Sequence, residues 1–207
     1  NYKDLFNYPV IANVGRLTKQ KGQWHLIRAF KKVKEKITNM KLIILGTGEL
    51  EDYLKKLVVG LNLEKDVYFL GFQKNPFKFI SKSKIHVFPS LYEGFPNALV
   101  EAMACEIPVI SSDCKSGPRE ILAPETNIDV ETKIIEYAKY GVLIPVCNDN
   151  YYKAKDPLTN KEMILAKSIV ELYLSKELLE NYTVKSKERV KDFNKDNIIL
   201  EYENILK

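Results

Sequence analysis

Short apolar runs alternate with segments of helical periodicity along residues 1–150, and this alternation constrains the fold more than any other feature. The run Pro9–Val14 is followed by Trp24–Ile37, in which Leu26 and Phe30 fall on one helical face. Continuous apolar strands separated by helices indicate a parallel sheet that is covered on both faces. We therefore predict a doubly wound α/β domain. Its other strands are predicted at Lys41–Leu45, Val67–Leu70, Ile85–Phe88, Pro108–Ser111 and Tyr140–Pro145, and its other helices at Leu50–Leu61, Pro76–Ser81 and Asn97–Cys105.

Beyond Asp156 the pattern changes to helices alone. We therefore divide the chain into an α/β domain at residues 1–155 and a C-terminal helical extension, packed on that domain, at residues 156–207. The segment Ala123–Lys139 is polar and has no clear period, so we expect a surface excursion there. The helices of the extension are predicted around Ile164–Tyr173 and over Leu178–Phe193 and Ile198–Leu206.

Composition and charge exclude several classes of protein. Hydrophobic residues make up 45% of the chain, which is enough apolar material for a core and excludes general disorder. No run approaches the roughly 18 consecutive apolar residues that a membrane-spanning helix needs. The net charge of +5 comes from scattered lysines, and no basic run is interleaved with aromatic residues. Nucleic acid is therefore not an expected partner.

The cysteines and histidines show no pattern of a metal or redox site. Cys105, Cys114 and Cys147 form no C-x-x-C pair, and His25 and His86 have no companion at ligand spacing. We expect no metal site, and we expect His86 to be a satisfied core or edge residue. Unpaired cysteines and the lack of a visible leader favour the cytoplasm, and the richness in lysine, asparagine and isoleucine favours a bacterial host.

Ligands of doubly wound sheets bind at the carboxyl ends of the strands. The first loop after a strand carries Arg16 and Lys21, which can clamp phosphate oxygens, and Lys19 is an alternative to Lys21. Arginine is rare in this chain, and Arg16 stands directly after a strand, which favours a ligand over a solvated charge. The predicted strand ends are Gly15, Gly46, Gly71 and Ser90.

The most informative segment is Ser90–Cys105. Asn97 is a suitable N-cap, and the helix after it is apolar nearly all round, so we predict a buried helix. Glu101 would then be a buried carboxylate, which needs hydrogen-bond donors. Two interpretations stay open at this point. Either a ligand donates hydrogen bonds from its hydroxyl groups to the Glu101 carboxylate, or Glu101 merely faces a basic residue or favours the helix N-terminus.

The start of that helix predicts an anion site, because free N–H groups at a helix N-terminus bind phosphate readily. Together with the carboxylates of Glu93 and Glu101, they suit a ligand that has both hydroxyl and phosphate groups, namely a sugar nucleotide. The amides expected to point outwards are those of Phe95, Asn97, Ala98 and Leu99.

These segments, in this order, resemble family 4 of the retaining glycosyltransferases over about residues 9–148. The most specific feature is the pair Glu93 and Glu101, with glycine after the first and an apolar helix around the second. The matching region is the family's C-terminal, donor-binding half, a Rossmann-like half of a GT-B fold, and we expect the N-terminal acceptor-binding domain to be absent from this chain. The other matching segments are Gly15–Gly22, Gly46–Gly48, Pro108–Ser112, Gly117–Ile121 and Gly141–Pro145.

The resemblance implies a role for each matching residue. Arg16 and Lys21 would hold the diphosphate and stabilise the leaving nucleoside diphosphate, and Glu93 would bind hydroxyls of the donor sugar. Glu101 would bind the ribose hydroxyls. No metal or other cofactor would be required, because the cationic side chains and the helix N-terminus take the metal's electrostatic role. The other donor-binding residues implied are Gly15, Gly46, Gly71, Phe72, Gln73, Gly94, Phe95, Asn97, Ala98 and Leu99, with Gly71, Phe72 and Gln73 near the base.

The implied reaction transfers a sugar from a UDP-sugar to a glycan or lipid-linked acceptor, with retention at the anomeric carbon. The implied setting is polysaccharide assembly, in the cytoplasm or on the inner face of the cell membrane. The segment Ala123–Lys139 is longer than the family's usual link, and we expect it to belong to the specificity apparatus. This chain alone is expected to bind the donor but to transfer little.

Three other interpretations stay open. A nicotinamide-binding domain is disfavoured, because Glu51 stands where the continuation of Gly46-Thr47-Gly48 would need glycine. A sugar-nucleotide epimerase or a phosphorylase-like GT-B domain would use similar phosphate contacts. A non-enzymatic basic domain would bind an anionic membrane or a partner protein through its lysine-rich face. A peripheral membrane role is also compatible with the transferase, with Trp24 and the Phe30–Lys36 face as contacts, although a core helix explains these residues as well.

Overall fold

The computed structural model describes residues 4–194, and the predicted helix Ile198–Leu206 lies outside them. The described range forms the predicted α/β arrangement followed by helices. The strands are β1 (Val10–Val14), β2 (Lys41–Leu45), β3 (Val67–Gly71), β4 (Ile85–Phe88), β5 (Val109–Ser112), β6 (Glu136–Tyr137) and β7 (Val142–Ile144). The α-helices are α1 (Gln23–Lys36), α2 (Glu51–Gly60), α3 (Phe77–Ile80), α4 (Asn97–Ala104), α5 (Gly117–Leu122), α6 (Asn160–Leu174) and α7 (Lys176–Arg189). Short 3₁₀ helices lie at Asp4–Asn7, Lys19–Lys21 and Val190–Phe193.

One seven-stranded sheet, in the order β3-β2-β1-β4-β5-β7-β6, organises the described part of the chain. Neighbouring strands pair in parallel except β6, which runs antiparallel to β7. In the centre, Ile11 of β1 lies opposite Leu42 on one side and Ile85 on the other. The chain builds outwards from β1 to β3 and then returns to β4, so the strand order reverses between β1 and β4. Such a switch point opens a crevice at the carboxyl ends of the two strands.

Both faces of the sheet are covered, because successive side chains along each strand point to opposite faces. Ile11 and Ile44 belong to an apolar cluster that includes residues of α1, α2 and α6. On the other face, Ile43 packs with Phe79 of α3, and Leu143 belongs to a cluster with residues of α4 and α5. This two-sided burial is why the strands read as continuous apolar runs in the sequence.

A buried ionic cluster joins α6 to α1. Glu162, in the first turn of α6, accepts a hydrogen bond from Arg28 Nε at 2.8 Å and lies 2.8 Å from His25 Nδ1. All three side chains are fully buried. Burial by itself raises the pKa of Glu162, but hydrogen bonds from His25 and Arg28 outweigh it and lower the pKa to about 2. Glu162 also closes a capping box with Thr159.

The segment Ala123–Lys139 is largely exposed, as expected, but it contains regular structure that its sequence pattern does not indicate. Its end forms β6, which adds an antiparallel edge strand to the sheet. Arg119 of α5 anchors the segment by donating to Glu136 in β6 and to Asp113 after β5. Neither α5 nor β6 was predicted, because six-residue and two-residue elements are too short to display a period.

None of the helices within residues 4–194 is long and apolar enough to cross a membrane. In the same range, no three His, Cys, Asp or Glu side chains lie close enough together to hold a metal ion. The three cysteines are free. Burial raises the pKa of both Cys114 and Cys147 to about 12, so these two remain thiols at neutral pH.

His86 departs from its predicted role as a satisfied core residue. Its side chain is fully buried in the central strand β4, and neither ring nitrogen has a hydrogen-bond partner among the residues described. The ring stacks on Phe88, with centroids 4.2 Å apart. Burial lowers the pKa of His86 to about 3, so the imidazole is neutral at physiological pH.

We expect His86→Leu to raise the free energy of unfolding by about 1–2 kcal/mol at pH 7.5, because it removes a buried polar group without partners. The unfolded chain takes up a proton on His86 near pH 6.5, whereas the folded chain does so only near pH 3. Wild-type stability therefore falls on acidification below about pH 6.5, by up to about 1.4 kcal/mol per pH unit, and the leucine variant lacks this loss. Urea denaturation at pH 7.5 and 5.5 should show the gap between the two proteins widening at the lower pH; a constant gap would contradict the assignment.

Candidate functional site

The loops that follow β1 and β4 meet across the crevice at the switch point. Gly22 closes the first loop with a φ of 59°, and a Cβ there would lie 2.4 Å from the Pro89 carbonyl oxygen, so glycine is required. The Leu91 N–H donates to the Gln20 carbonyl oxygen at 2.8 Å. The two loops are thus in direct contact, and the side chains they carry share one site.

Main-chain contacts also join the loops that follow β1, β2 and β3. The Gly15 N–H donates to the Leu45 carbonyl oxygen at 3.0 Å, and the Gly46 N–H donates to the Gly71 carbonyl oxygen at 2.9 Å. Gly46 has a φ of 136°, and a Cβ there would lie 2.0 Å from the Gly15 carbonyl oxygen. Only glycine permits this approach, which brings the three predicted glycine positions together at one edge of the sheet.

Lys21 and Glu93, predicted in different loops, form an ion pair in the crevice. Lys21 Nζ lies 2.6 Å from Glu93 Oε1, and the two side chains are 21% and 9% exposed. Lys19, the alternative to Lys21, pairs instead with Asp149, and both of those side chains are exposed. The cation beside Glu93 is therefore Lys21 rather than Lys19.

Arg16 follows β1 directly, and its side chain is exposed. No residue in the described part of the chain forms an ion pair with its guanidinium. Its main chain is held in place, because Gln23 Nε2 and the Thr18 N–H both donate to the Arg16 carbonyl oxygen at 2.9 Å. An exposed guanidinium on a fixed main chain is available to an anion.

Glu101 is exposed on α4, so the prediction that it is a buried carboxylate is wrong. The helix buries only the face formed by Leu99, Ala102 and Met103. Asn97 and Glu101 lie one turn apart on the opposite, exposed side of the helix. An apolar sequence suggests burial all round, but this side of the helix is exposed, and the Glu101 carboxylate is accessible to a ligand.

The start of α4 also differs in detail from the prediction. The helix begins at Asn97, so the cap position is Pro96 and Asn97 is not the N-cap. The Asn97 N–H donates to the Phe95 carbonyl oxygen at 3.1 Å, and the Leu99 N–H donates to the Pro96 carbonyl oxygen at 2.8 Å. Two of the four expected amides are therefore used within the turn, whereas no acceptor in residues 4–194 pairs with the Ala98 N–H.

The loop after β3 lies at the same edge of the sheet through the contact between Gly46 and Gly71. Phe72 exposes 77% of its side chain there, which offers an aromatic surface for stacking. The side chain of Gln73 turns back, and its Nε2 donates to the Leu70 carbonyl oxygen at 2.6 Å.

The segment before α5 supports the loop that carries Glu93. The Ser116 N–H donates to the Glu93 carbonyl oxygen at 3.1 Å, and the Gly117 N–H donates to the Gly94 carbonyl oxygen at 3.0 Å. This contact explains the Gly117–Ile121 motif as a support for the site. The motif's arginine, Arg119, turns away from the crevice to its buried partner Asp113.

Two residues suggested as membrane contacts are excluded from that role. The side chains of Trp24 and Phe30 are fully buried in the core, and the Trp24 Nε1–H donates to the Asn150 carbonyl oxygen. The core-helix interpretation of α1 is therefore correct.

The crevice combines groups of opposite charge and different hydrogen-bonding capacity. Arg16 and Lys21 can neutralise phosphate oxygens, and the free Ala98 N–H can donate to another. The carboxylates of Glu93 and Glu101 can accept hydrogen bonds from hydroxyl groups. The arrangement fits a ligand in which phosphates lie next to hydroxyl-bearing rings.

Comparison with known proteins identifies related chains. A sequence model of the family described as "Glycosyl transferases group 1" matches residues 5–149. The protein described as uncharacterized glycosyltransferase MJ1059 from Methanocaldococcus jannaschii is 47% identical over 208 residues, which cover 99% of this chain and 50% of that protein. The N-acetylgalactosamine-N,N'-diacetylbacillosaminyl-diphospho-undecaprenol 4-alpha-N-acetylgalactosaminyltransferase of Campylobacter jejuni is 40% identical over 148 residues, or 72% of this chain and 35% of that protein. The chain thus spans half or less of the length of these relatives.

The fold has a counterpart among solved structures. HepE from Anabaena, solved in complex with UDP and glucose, is similar with a TM-score of 0.76 and 21% sequence identity. The similarity covers 99% of this chain and 50% of the HepE chain. At this level of identity the similarity shows a shared fold.

Proposed function

The chain belongs to the group 1 glycosyl transferases and corresponds to the C-terminal, donor-binding domain of their GT-B fold, and on this basis we propose that it binds the donor in a retaining glycosyltransferase. The whole enzyme would move a sugar from a UDP-sugar to a glycan or lipid-linked acceptor, which an N-terminal domain would bind. We place this activity in the cytoplasm or on the inner face of the cell membrane.

The observation that carries the proposal is the meeting of Lys21 and Glu93 in the crevice at the switch point. A cation and a carboxylate 2.6 Å apart can be bridged by a ligand that offers phosphate to one and hydroxyl to the other. In a UDP-sugar the β-phosphate and the sugar are directly linked. The phosphate and the sugar hydroxyls are therefore close enough together to contact Lys21 and Glu93 at the same time.

Each side chain then has a role that follows from its chemistry. Arg16 and Lys21 hold the diphosphate and stabilise its charge as the glycosidic bond breaks, without a metal ion. Glu93 accepts hydrogen bonds from the donor sugar, and Glu101 accepts them from the ribose. Phe72 and Gln73 lie beside the base. Within Phe95–Leu99, the Ala98 N–H, which has no partner in residues 4–194, donates to the phosphate.

Related proteins support the choice of donor and acceptor. HepE has been solved with UDP and glucose, which are the two parts of a UDP-sugar. The name of the Campylobacter jejuni relative specifies an acceptor on diphospho-undecaprenol and the transfer of an alpha-linked N-acetylgalactosamine. We extend the donor class, the lipid-linked acceptor class and retention to this chain on that basis, and we assign the segment Ala123–Lys139 to the specificity apparatus.

The proposal predicts that Glu101→Ala weakens UDP binding by about ten- to a hundredfold, because hydrogen bonds to a charged group contribute about 1.5–3 kcal/mol each. Glu101 is exposed and packs little, so the variant should fold normally. Isothermal titration calorimetry of the 207-residue chain with UDP measures the effect directly.

Glu64→Ala is the matched control, because Glu64 is an exposed glutamate before β3, at the opposite end of the sheet. Its UDP affinity should equal that of the wild type within twofold. Equal affinities of the wild type and Glu101→Ala for UDP would remove Glu101 from the nucleotide site.

A further inference from the structure

Gln20 makes three contacts across the crevice to three consecutive residues of the loop after β4. Its carbonyl oxygen accepts from the Leu91 N–H at 2.8 Å, and its Nε2 lies 3.0 Å from the Tyr92 carbonyl oxygen. The same Nε2 lies 3.3 Å from Glu93 Oε2. No other described side chain links these two loops in this way, apart from the neighbouring Lys21.

The Glu93 carboxylate thus has one side-chain donor on each oxygen. Lys21 occupies Oε1 at 2.6 Å, and Gln20 approaches Oε2 at 3.3 Å. The two donors differ in what a ligand does to them. A diphosphate competes strongly for the Lys21 ammonium, because a charge-assisted bond to phosphate is as favourable as one to a carboxylate. It competes less for the neutral Gln20 amide.

A bound diphosphate that takes up Lys21 would leave the Glu93 carboxylate with Gln20 as its side-chain donor among the described residues. Gln20 itself is held to the opposite loop by the main-chain hydrogen bond from the Leu91 N–H. A glutamate without a positioned donor would lose its fixed orientation.

We propose that Gln20 is a positioning residue that keeps the Glu93 carboxylate aimed at the donor sugar after the diphosphate has taken up Lys21. This inference rests on the proposed function. It assigns Gln20 to recognition of the sugar, not of the nucleoside diphosphate, and this separation provides its test.

The test is a set of calorimetric titrations of the 207-residue chain, one with UDP and one with each of UDP-glucose, UDP-N-acetylglucosamine and UDP-N-acetylgalactosamine. The measured quantity is the ratio of the UDP Kd to the Kd of the UDP-sugar that the wild type binds most tightly. Gln20→Met keeps the length of the side chain and removes the donor. It should lower this ratio about tenfold and leave the UDP Kd within twofold of the wild type.

Two further variants serve as a second test and as a control. Gln20→Asn keeps the amide, but its side chain is one methylene shorter, so it should show the same loss. Its main-chain bond to Leu91 is preserved, and it serves as the test if the methionine variant does not fold. Lys19 lies on the same turn as Gln20 and pairs with Asp149 outside the crevice. The ratio of the UDP Kd to the UDP-sugar Kd in Lys19→Met should therefore equal that of the wild type.

The outcomes separate this inference from the proposed function. An unchanged ratio in both Gln20 variants, an equal weakening of UDP and UDP-sugar, or a wild type that binds UDP and every UDP-sugar equally would overturn the role of Gln20 and leave nucleotide binding intact. A folded wild type that binds none of these ligands would overturn the proposed function and the inference with it.

Discussion

Replacing Glu162 by glutamine should lower the free energy of unfolding by about 3–5 kcal/mol at pH 7, because it leaves a fully buried Arg28 without its counter-ion. Glutamine retains the size of the side chain and can still serve in the capping box with Thr159, so the change isolates the loss of charge. The pKa of Glu162 is lowered from an ordinary 4.5 to about 2. This shift corresponds to a contribution of roughly 3 kcal/mol to the free energy of unfolding, in agreement with the expected range.

The pH dependence gives the sign of the effect. Because the folded-state pKa of Glu162 is lowered, its contribution is complete above pH 4.5 and is lost as the pH falls towards about 2. The gap between wild type and Glu162→Gln in urea denaturation should therefore shrink below pH 4.5. Glu177→Gln, at an exposed position in the first turn of α7, is the control and should change stability by less than about 0.5 kcal/mol. A similar loss in both variants would show that the buried cluster has no special contribution.

Replacing Arg119 by leucine should have an effect of similar size, about 3–5 kcal/mol, because it leaves the buried carboxylate of Asp113 unpaired. Among the described residues, the Asp113 carboxylate would retain only its hydrogen bond from the Thr132 N–H, which is 2.6 Å long. The change also removes the anchor of β6 at Glu136, so the segment Ala123–Lys139 should become the first site of cleavage in limited proteolysis.

The exposed ion pair between Lys115 and Asp129 provides the matched comparison in the same region. Its atoms are 3.8 Å apart and both side chains are largely exposed, so Lys115→Ala should change stability by less than about 1 kcal/mol. Thermal unfolding followed by circular dichroism checks both variants. If Lys115→Ala destabilised the protein as much as Arg119→Leu, the argument from burial would be wrong.

The central strands could be predicted closely because their sequence signal is local. The predicted strands Lys41–Leu45 and Ile85–Phe88 coincide with β2 and β4. Strands that are buried on both faces must be apolar at nearly every position. Gly46 follows β2 and Pro89 follows β4, which marks the end of each strand. The order of these segments along the chain then leads to the doubly wound sheet and to the carboxyl edge as the place of the site.

The sequence analysis placed Lys21 and Glu93 at the carboxyl edge of the sheet, where they meet, but it did not predict which neighbouring side chains are buried. Lys21 and Glu93 do come together, whereas Glu101 is exposed and Asn97 is the first residue of α4 instead of its cap. The exposure of a helix face depends on what packs against it. The small apolar residues of α4 are compatible with either environment, so no local pattern distinguishes them.

The polar pairs outside the crevice could not be predicted. Arg28 and Glu162 are 134 residues apart, and nothing near either residue indicates the other. Gln20 stands between two lysines in what reads as a solvated turn, although its side chain faces the loop after β4. Tertiary structure decides which charged and polar groups meet, and a single sequence does not contain that information in readable form.

The most direct test of the site is its location, measured by titrating the ¹⁵N-labelled chain with UDP and following the backbone amide chemical shifts. We predict that the largest changes fall in Gly15–Gly22, Gly71–Gln73 and Glu93–Glu101, three segments at the carboxyl edge of the sheet. Changes confined to another surface, such as the groove between α1 and α6 near Lys32 and Met163, or no changes at millimolar UDP, would contradict the assignment of this edge as the nucleotide-sugar site.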